Sequence, residues 1–183
     1  MKTLLTLLTC LLILSPTVVI GETFDNLVKR EGLYYKKFTD VPFTGKVTGK
    51  EQGKMRRGKK EGEWNVFYHN GQLLKKAHYK NGELHGPYAI YRASGLVQQK
   101  STFKNGKFDG PYVFFHSNGQ MRSKGNYKDG KTEGLWKDYF RNGQLADKGN
   151  YKNGQRDGLW VGYDPNGQSE TKQTYKDGKK VSD

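Results

Sequence analysis

Glycines recur every 24 residues through most of this 183-residue chain, and this period constrains the fold more than any other feature of the sequence. A fixed period of about 20 to 50 residues is typical of a repeat array, in which each unit stacks on its neighbours. We therefore expect one 24-residue unit to be the building block of the fold. Three glycine columns keep the spacing without exception: Gly62, Gly86, Gly110, Gly134 and Gly158; Gly71, Gly95, Gly119, Gly143 and Gly167; and Gly82, Gly106, Gly130, Gly154 and Gly178.

Aromatic residues share the period, and aliphatic residues are scarce outside the N-terminal segment. Two aromatic columns begin at Phe67 and Tyr79. A third, which we predict to be structural, consists of Trp64, Tyr88, Tyr112, Trp136 and Trp160. Packed rings can form a core, because an aromatic pair contributes about 0.5–1.5 kcal/mol beyond the burial of its area. Exposed rings would instead bind sugars or a protein, and the sequence leaves both interpretations open.

Turn signals divide each unit into two strands, which predicts an all-β fold of stacked hairpins. Asn-Gly pairs such as Asn70-Gly71 can supply the positive φ angles of a tight turn, and a second turn follows at Asn81-Gly82 and its equivalents. At the third glycine column, which begins with Gly62, we expect the missing side chain to make room for a ring or a neighbouring backbone.

The repeat array is predicted to span residues 45–183, with about 10–12 strands of ordinary length. Five full units yield ten of these strands, and a shortened opening unit at 45–61 adds two. The full units begin at residues 62, 86, 110, 134 and 158.

Residues 1–21 have the features of a secretory signal peptide. Lys2 precedes an apolar run from Leu4 to Leu14, and small or β-branched residues follow Pro16. We predict cleavage before Glu22 and export to the periplasm or the medium. The alternatives are an uncleaved anchor, for which the run is short, and a lipoprotein modified at Cys10.

Residues 22–44 do not follow the repeat, and we predict that they form an N-terminal cap. The segment includes Leu33, Tyr34 and Phe43, which are apolar enough to cover the first hairpin. The exported chain would hold no cysteine, so its stability would come from packing without disulfides.

No set of side chains suggests catalysis, and we predict a protein that is not an enzyme and has neither a metal site nor a cofactor. The histidines are His69, His78, His85 and His116, and none of them recurs with the repeat. His85 stands in a column otherwise occupied by acidic residues, which predicts a polar residue beside a turn. The acidic residues of this column are Glu61, Asp109, Glu133 and Asp157.

Lysines account for much of the net charge of +14 and also follow the repeat. Two columns lie four residues apart, so both are predicted to lie on one face of the sheet, with about 9.5 Å between equivalent lysines of successive hairpins. The stripe serves either to keep the sheet soluble or to bind an anionic partner, and these alternatives stay open. Its members are Lys76, Lys100, Lys124, Lys148 and Lys172, and Lys80, Lys104, Lys128, Lys152 and Lys176.

The phrase Tyr-Lys-Asn/Asp-Gly-Lys-x-acid-Gly-Leu-Trp, clearest at residues 127–136 and 151–160, resembles the MORN repeat. The closer resemblance is to a variant found in tandem in bacterial proteins, some of which are antitoxin components of toxin–antitoxin systems. The opening segment from Val41 to Val47 is similar to the start of that family. The resemblance covers about residues 32 to 180, and it implies an elongated, single-layer antiparallel sheet that serves as an interaction surface.

Three functions follow as hypotheses. The first is an exported protein-interaction or scaffold module, which is antitoxin-like if its partner is a toxin. The second is a cationic module that binds an anionic membrane or envelope polymer. The third is a repeat that binds glycans or cell wall through its rings. Nucleic acid is not an expected partner of an exported chain.

Overall fold

The computed structural model of the protein describes residues 21–168 and 170–182. The predicted signal peptide therefore lies outside the described residues, except for Gly21. Among the residues described, no helix has the length and apolar character needed to span a membrane.

The predicted all-β hairpin array is confirmed, with more strands than expected. The strands β3 to β15 form one antiparallel sheet in which each strand pairs with its neighbours in sequence, so the sheet has thirteen strands rather than 10–12. The additional strand is β15, at the place where the repeat pattern ends. The described elements are a 3-10 helix at Phe24–Asn26 and the strands β1 Leu27–Arg30, β2 Leu33–Lys36, β3 Gly45–Val47, β4 Glu51–Arg56, β5 Lys59–Phe67, β6 Leu73–Lys80, β7 Glu83–Tyr91, β8 Val97–Lys104, β9 Lys107–Phe115, β10 Met121–Lys128, β11 Lys131–Tyr139, β12 Leu145–Lys152, β13 Gln155–Tyr163, β14 Glu170–Lys176 and β15 Lys179–Ser182.

The two turns of each unit differ, and the tight one is not the one predicted. At Asn81-Gly82 both residues have positive φ, 52° and 87°, as a two-residue type I′ turn requires. At the other end of the hairpins, Gly71 has a positive φ but Asn70 is not among the positive-φ residues. The connection there is a five-residue loop, in which the backbone N–H of Tyr68 donates to the carbonyl of Gln72 at 2.8 Å.

The glycine column that begins with Gly62 has a different role from the one predicted. Each of its five members has a positive φ, between 67° and 113°. A side chain on Gly62 would meet nothing within 4 Å, so space for a ring is not the reason for glycine there. The register shifts by two residues opposite Gly53, which places Gly62 in a β-bulge. Glycine is therefore required by the left-handed backbone of the bulge.

The glycines that do make room for rings form a fourth column. Trp64, Trp136 and Trp160 each lie on a glycine of the preceding strand, so closely that a Cβ there would overlap the ring. These three tryptophans are 0%, 9% and 2% exposed. In the two units with the smaller tyrosine ring, the equivalent residue has a side chain. The pairs are Gly53 with Trp64, Ala77 with Tyr88, Ser101 with Tyr112, Gly125 with Trp136 and Gly149 with Trp160.

Ring contacts link successive hairpins along the same face of the sheet. The Trp136 ring lies 5.7 Å from the rings of both Tyr112 and Tyr127, and 5.9 Å from that of Tyr151. Beyond the first hairpins, no second sheet packs on this layer among the described residues, so its rings bury one another.

The segment 22–44 lies against the first hairpins. Phe24 contacts the ring of Trp64 at a centroid distance of 6.0 Å, and Leu27 is buried in the same cluster as Val47 and Trp64. The strands β1 and β2 form a separate two-stranded sheet. The beginning of the array thus has an aliphatic and aromatic cluster that the later units lack.

We expect Trp136→Ala to lower the free energy of unfolding by about 3–5 kcal/mol, because the substitution leaves a large cavity between hairpins. Urea denaturation monitored by circular dichroism would measure this loss. A loss below about 1 kcal/mol would contradict the burial of the ring.

We expect Gly125→Ala to destabilise the protein by about 1–3 kcal/mol, because the added methyl overlaps the Trp136 ring. Combining it with Trp136→Tyr recreates the Ala77–Tyr88 pair of an earlier unit and should cost less than the sum of the two single changes. A double-mutant cycle measures this coupling, and strict additivity would contradict it.

Candidate interaction surface

The sheet has two faces of opposite chemical character, and strand pairing assigns residues to them. Residues directly opposite each other in an antiparallel pair point to the same face. Trp64 lies opposite Ala77, and Ala77 lies opposite Tyr88, so the Trp64 column shares one face, which we call the aromatic face. Lys76 lies between Asn65 and Ala89 on the other side of the sheet, which we call the lysine face.

All ten lysines of the two predicted columns lie on the lysine face. Lys76, Lys100, Lys124, Lys148 and Lys172 form an inner row across the sheet, and Lys80, Lys104, Lys128, Lys152 and Lys176 form an outer row beside the type I′ turns. The even-numbered strands run without a bulge from the inner to the outer lysine, so the two residues keep the same side. Nine of the ten are exposed, and Lys148 is half-buried.

Few carboxylates neutralise these lysines. Lys76 pairs with Glu63 at 2.9 Å, Lys128 with Asp109 at 3.5 Å, and Lys172 with Glu170 at 3.4 Å. The hydrogen bond from Lys76, with a smaller one from Asn65, lowers the pKa of Glu63 below its usual value. Among residues 21–168 and 170–182, the other seven lysines have no carboxylate oxygen within 4.0 Å.

The acidic column beside the turns is largely used by the backbone. The side chains of Glu61, Asp109 and Glu133 accept the backbone N–H of a turn residue in the next hairpin, at 2.9, 3.2 and 2.8 Å. His85 occupies the same place in its unit, and its Nδ1 lies 3.3 Å from Oδ1 of Asn105. These acids therefore connect neighbouring turns and add little negative charge to the inner row.

A column of exposed apolar residues separates the two lysine rows, and the sequence reasoning did not recognise it. It consists of Pro87, Pro111, Leu135 and Leu159, and the two leucines are 50% and 52% exposed. Each follows a bulge glycine directly in the chain, so the position could have been found from the repeat. The exposure of these residues could not be predicted from the repeat, because it depends on the face of the sheet to which the bulge directs them.

Lys137 is a further candidate for the interaction surface, and the sequence reasoning missed it because it does not belong to either lysine column. The inner row alternates between the lysine column and a column that holds Asn65, Ala89, Val113, Lys137 and Val161. Only Lys137 is charged in that second column. It lies directly opposite both Lys124 and Lys148, so three lysines are adjacent in three consecutive strands.

Aromatic rings border the inner row on the side of the longer loops. The Nζ of Lys124 lies 5.9 Å from the centre of the Tyr139 ring, and that of Lys148 lies 5.5 Å from the Tyr163 ring. A hydrogen bond with Tyr163 raises the pKa of Lys148 above its usual value. Lys148 therefore remains cationic at neutral pH.

The aromatic face has its polar groups satisfied internally. The indole Nε1 of Trp64 donates to the backbone carbonyl of Lys54 at 3.1 Å, and that of Trp160 donates to the backbone carbonyl of Asn150 at 3.0 Å. Arg156 lies 4.0 Å from the centre of the Trp160 ring and pairs with Asp147 at 3.2 Å. Rings and cations on this face therefore contact each other.

The histidines do not form a cluster. His116 Nε2 lies 2.9 Å from the carbonyl oxygen of Tyr139 at the end of β11, while His85 contacts Asn105. In the part of the chain that the structure describes, no three His, Cys, Asp or Glu side chains are placed to hold a metal ion.

We expect the protein to lose stability as the pH rises above about 10. Burial raises the pKa of Tyr79, Tyr88, Tyr112 and Tyr127, so these side chains retain their protons in the folded state after tyrosines of the unfolded chain ionise. The folded state then binds more protons, and the free energy of unfolding falls with pH.

Urea denaturation at a series of pH values between about 8 and 11 measures this loss. The double variant Tyr112→Phe/Tyr127→Phe removes two of the buried hydroxyls and should have a shallower decline. An unchanged slope would contradict the assignment, because the two proteins differ only in these two hydroxyls.

The repeats match a known family over four segments. The model described as the MORN repeat variant matches residues 60–81, 108–129, 132–153 and 156–177. The hairpin of β7 and β8, outside these matches, has the same pairing as the others. A search of the curated proteins finds no match to this sequence.

Among solved structures, a chain of the "Crystal structure of GtfA/B complex bound to UDP and GlcNAc" aligns with 86% of this chain at 9% identity. The alignment spans only 27% of that chain, and the TM-score of 0.28 supports no inference about fold or function. The family model is informative by itself, since MORN repeats are generally modules for protein or membrane interaction. Four segments of this chain are thus similar to the MORN repeat variant.

Proposed function

We propose that this protein is an exported, non-enzymatic interaction module that docks an acidic partner protein on its lysine face. The observation that carries the proposal is the lack of charge compensation: seven of the ten lysines in two regular rows have no carboxylate within 4.0 Å among the described residues. A surface that needed only solubility would gain from charges of both signs. A one-sign field attracts a partner of opposite charge and orients its approach.

The exposed apolar column makes the lysine face suitable for a protein partner. Leu135 lies two residues from Lys137 along β11, and Leu159 lies two residues from Val161, which is directly opposite Lys148 and Lys172. Apolar and cationic side chains are therefore close together on the same face. Protein interfaces combine an apolar centre that excludes water with charges that set orientation. The lysine face provides both elements.

The packing of the rings favours the lysine face over the aromatic face as the docking surface. A sugar stacks on the open face of a ring, whereas Trp136 and Trp160 lie flat on Gly125 and Gly149. Both tryptophans are buried by this contact. Glycan binding by the Trp64 column is therefore the least supported of the three hypotheses.

Export and an antitoxin-like role rest on the sequence. The features of residues 1–21 favour a secreted or periplasmic protein. The bacterial repeat family that the chain resembles includes antitoxin components. A toxin in the same compartment is accordingly the first partner to test.

The test compares two charge-reversal variants with the same change in net charge. Lys100→Glu/Lys124→Glu alters the inner row, and Lys37→Glu/Lys50→Glu alters exposed lysines elsewhere as the control. Each protein is used as bait for envelope and secreted proteins at low salt. Any captured protein is then purified and titrated by calorimetry.

We expect a saturable partner whose affinity falls at least about tenfold in the inner-row variant and stays near the wild-type value in the control. Affinity should also fall as salt is raised, because these charges are solvent-exposed. Equal binding by both variants would contradict docking on the lysine face. Absence of any saturable protein partner would overturn the proposal.

Membrane binding is the second candidate, favoured by the same adjacency of leucines and lysines. Sedimentation with vesicles containing about one-third phosphatidylserine, at low and high salt, tests it. Binding at low salt that the inner-row variant abolishes would support a lipid surface. No sedimentation at low salt would exclude this candidate.

A further inference from the structure

We propose, on the basis of the proposed function, that the docking segment of the partner is an extended acidic peptide with a carboxylate at every third residue. The peptide lies across strands β8 to β14 of the lysine face and is centred on Lys124, Lys137 and Lys148. Contacts, spacing and local composition of the face support this inference independently of one another.

The centre of the site is a cluster of like charges. Lys137 is directly opposite Lys124 on one side and Lys148 on the other. Side chains in such pairs have Cβ atoms about 4.5–5.5 Å apart, and like charges in this position are destabilising. Among the described residues, none of the three lysines has a carboxylate within 4.0 Å. An anionic ligand would relieve the repulsion and gain from all three ammonium groups.

The composition around the cluster favours a peptide with carboxylates over a bare anion. Asn126 and Asn150 lie two residues from Lys124 and Lys148 on the same face, where their amides can donate to a peptide carbonyl. Leu135 lies directly opposite Asn150, and the bulge at Gly134 places Glu133 opposite Asn126. Ammonium groups, amides and an exposed leucine together suit a chain with acidic, polar and apolar parts.

The inner row contains no acidic residue between β8 and β14. It is a continuous ladder of paired residues, which consists of Lys100, Val113, Lys124, Lys137, Lys148, Val161 and Lys172. The row beside it is interrupted by the bulges, which place Glu133 opposite Asn126 and Asp157 opposite Asn150. The Glu133 carboxylate accepts the backbone N–H of Asn153 at 2.8 Å, so it is already engaged by a turn.

The spacing of the inner lysines determines the spacing of the carboxylates. Lys100, Lys124, Lys148 and Lys172 are separated by two strands each, which is about 9.5 Å at the usual strand spacing. Three residues of a polyproline II chain advance about 9.3 Å. A peptide in this conformation would therefore place every third side chain over the next inner lysine, and Lys137 would strengthen the central position.

The apolar column has the same pitch and can hold the intervening side chains. Each hairpin contributes one residue to this column, as it contributes one inner lysine, so Pro111, Leu135 and Leu159 have the same spacing across the sheet as the lysines. Apolar residues between the acidic ones would lie on this column. The inferred ligand is thus an acid–apolar repeat of three residues, presented by a partner protein.

The experiment uses two synthetic peptides of equal composition with blocked ends. One contains five Glu-Pro-Leu units, and the other has its five glutamates in a block followed by the prolines and leucines. Each is titrated against the purified protein by fluorescence anisotropy at about 50 mM and 150 mM salt. We expect the periodic peptide to bind about tenfold more tightly than the block peptide.

The variant Lys137→Val tests the centre of the site. Valine occupies the equivalent positions 113 and 161, so the fold should be kept, and loss of the like-charge pairs should raise the melting temperature. Affinity for the periodic peptide should fall by at least about threefold. The control Lys37→Val, which also removes one charge, should leave the affinity unchanged.

Equal affinity for the two peptides, or no effect of Lys137→Val, would overturn the inference. Binding of phosphatidylserine vesicles that Lys137→Val weakens, without binding of either peptide, would also overturn it and assign the cluster to a lipid headgroup. If both peptides fail while a captured protein still depends on Lys100 and Lys124, this inference falls and the proposed function stands. If neither peptide nor protein binds, both fall.

Discussion

The contact of an aromatic ring with the backbone of the preceding strand is the interaction on which the rest of the structure depends. A single-layer sheet has no second layer to pack on, so its apolar groups must be buried within the layer and by neighbouring side chains. Trp64, Trp136 and Trp160 achieve this by lying on glycines, where no Cβ separates the ring from the backbone. The tyrosine rings lie on Ala77 or Ser101 and have less area to bury.

This packing determines which face is free for function. The rings of the aromatic face contact one another and donate their indole hydrogens within the sheet. The described contacts of the lysine face are fewer, and they include three lysine–carboxylate pairs and the ring contacts of Lys124 and Lys148. Its acidic column mostly binds the N–H groups of neighbouring turns. Among the described residues, Lys100, Lys124 and Lys148 of the inner row therefore have no carboxylate within 4.0 Å.

Much of the fold could be predicted from the sequence, because the 24-residue period equals the length of one structural unit. The strands, the order of hairpins and the alternation of two turns follow from glycine and aromatic columns. The turn types could not be read from Asn-Gly alone, since Asn70-Gly71 and Asn81-Gly82 are the same dipeptide in different turns. Loop length and the bulge at Gly62 set the geometry, and both depend on strand pairing.

The candidate surface was predicted in part. The ten lysines were identified from their columns, whereas Lys137 was missed because its column is otherwise uncharged. The column of Gly53, Gly125 and Gly149 was also missed, although it correlates with tryptophan eleven residues later. This correlation can be explained only once the structure shows that the tryptophan ring lies on the glycine of the preceding strand.

The sequence by itself determined the repeat, the all-β class and the number of lysines in each column. A 24-residue period with turn residues in fixed places permits little else. Only the tertiary structure decided which residues are neighbours. Lys124, Lys137 and Lys148 are 13 and 11 residues apart in the chain, and they lie side by side because bulges and turn lengths set the register of antiparallel strands.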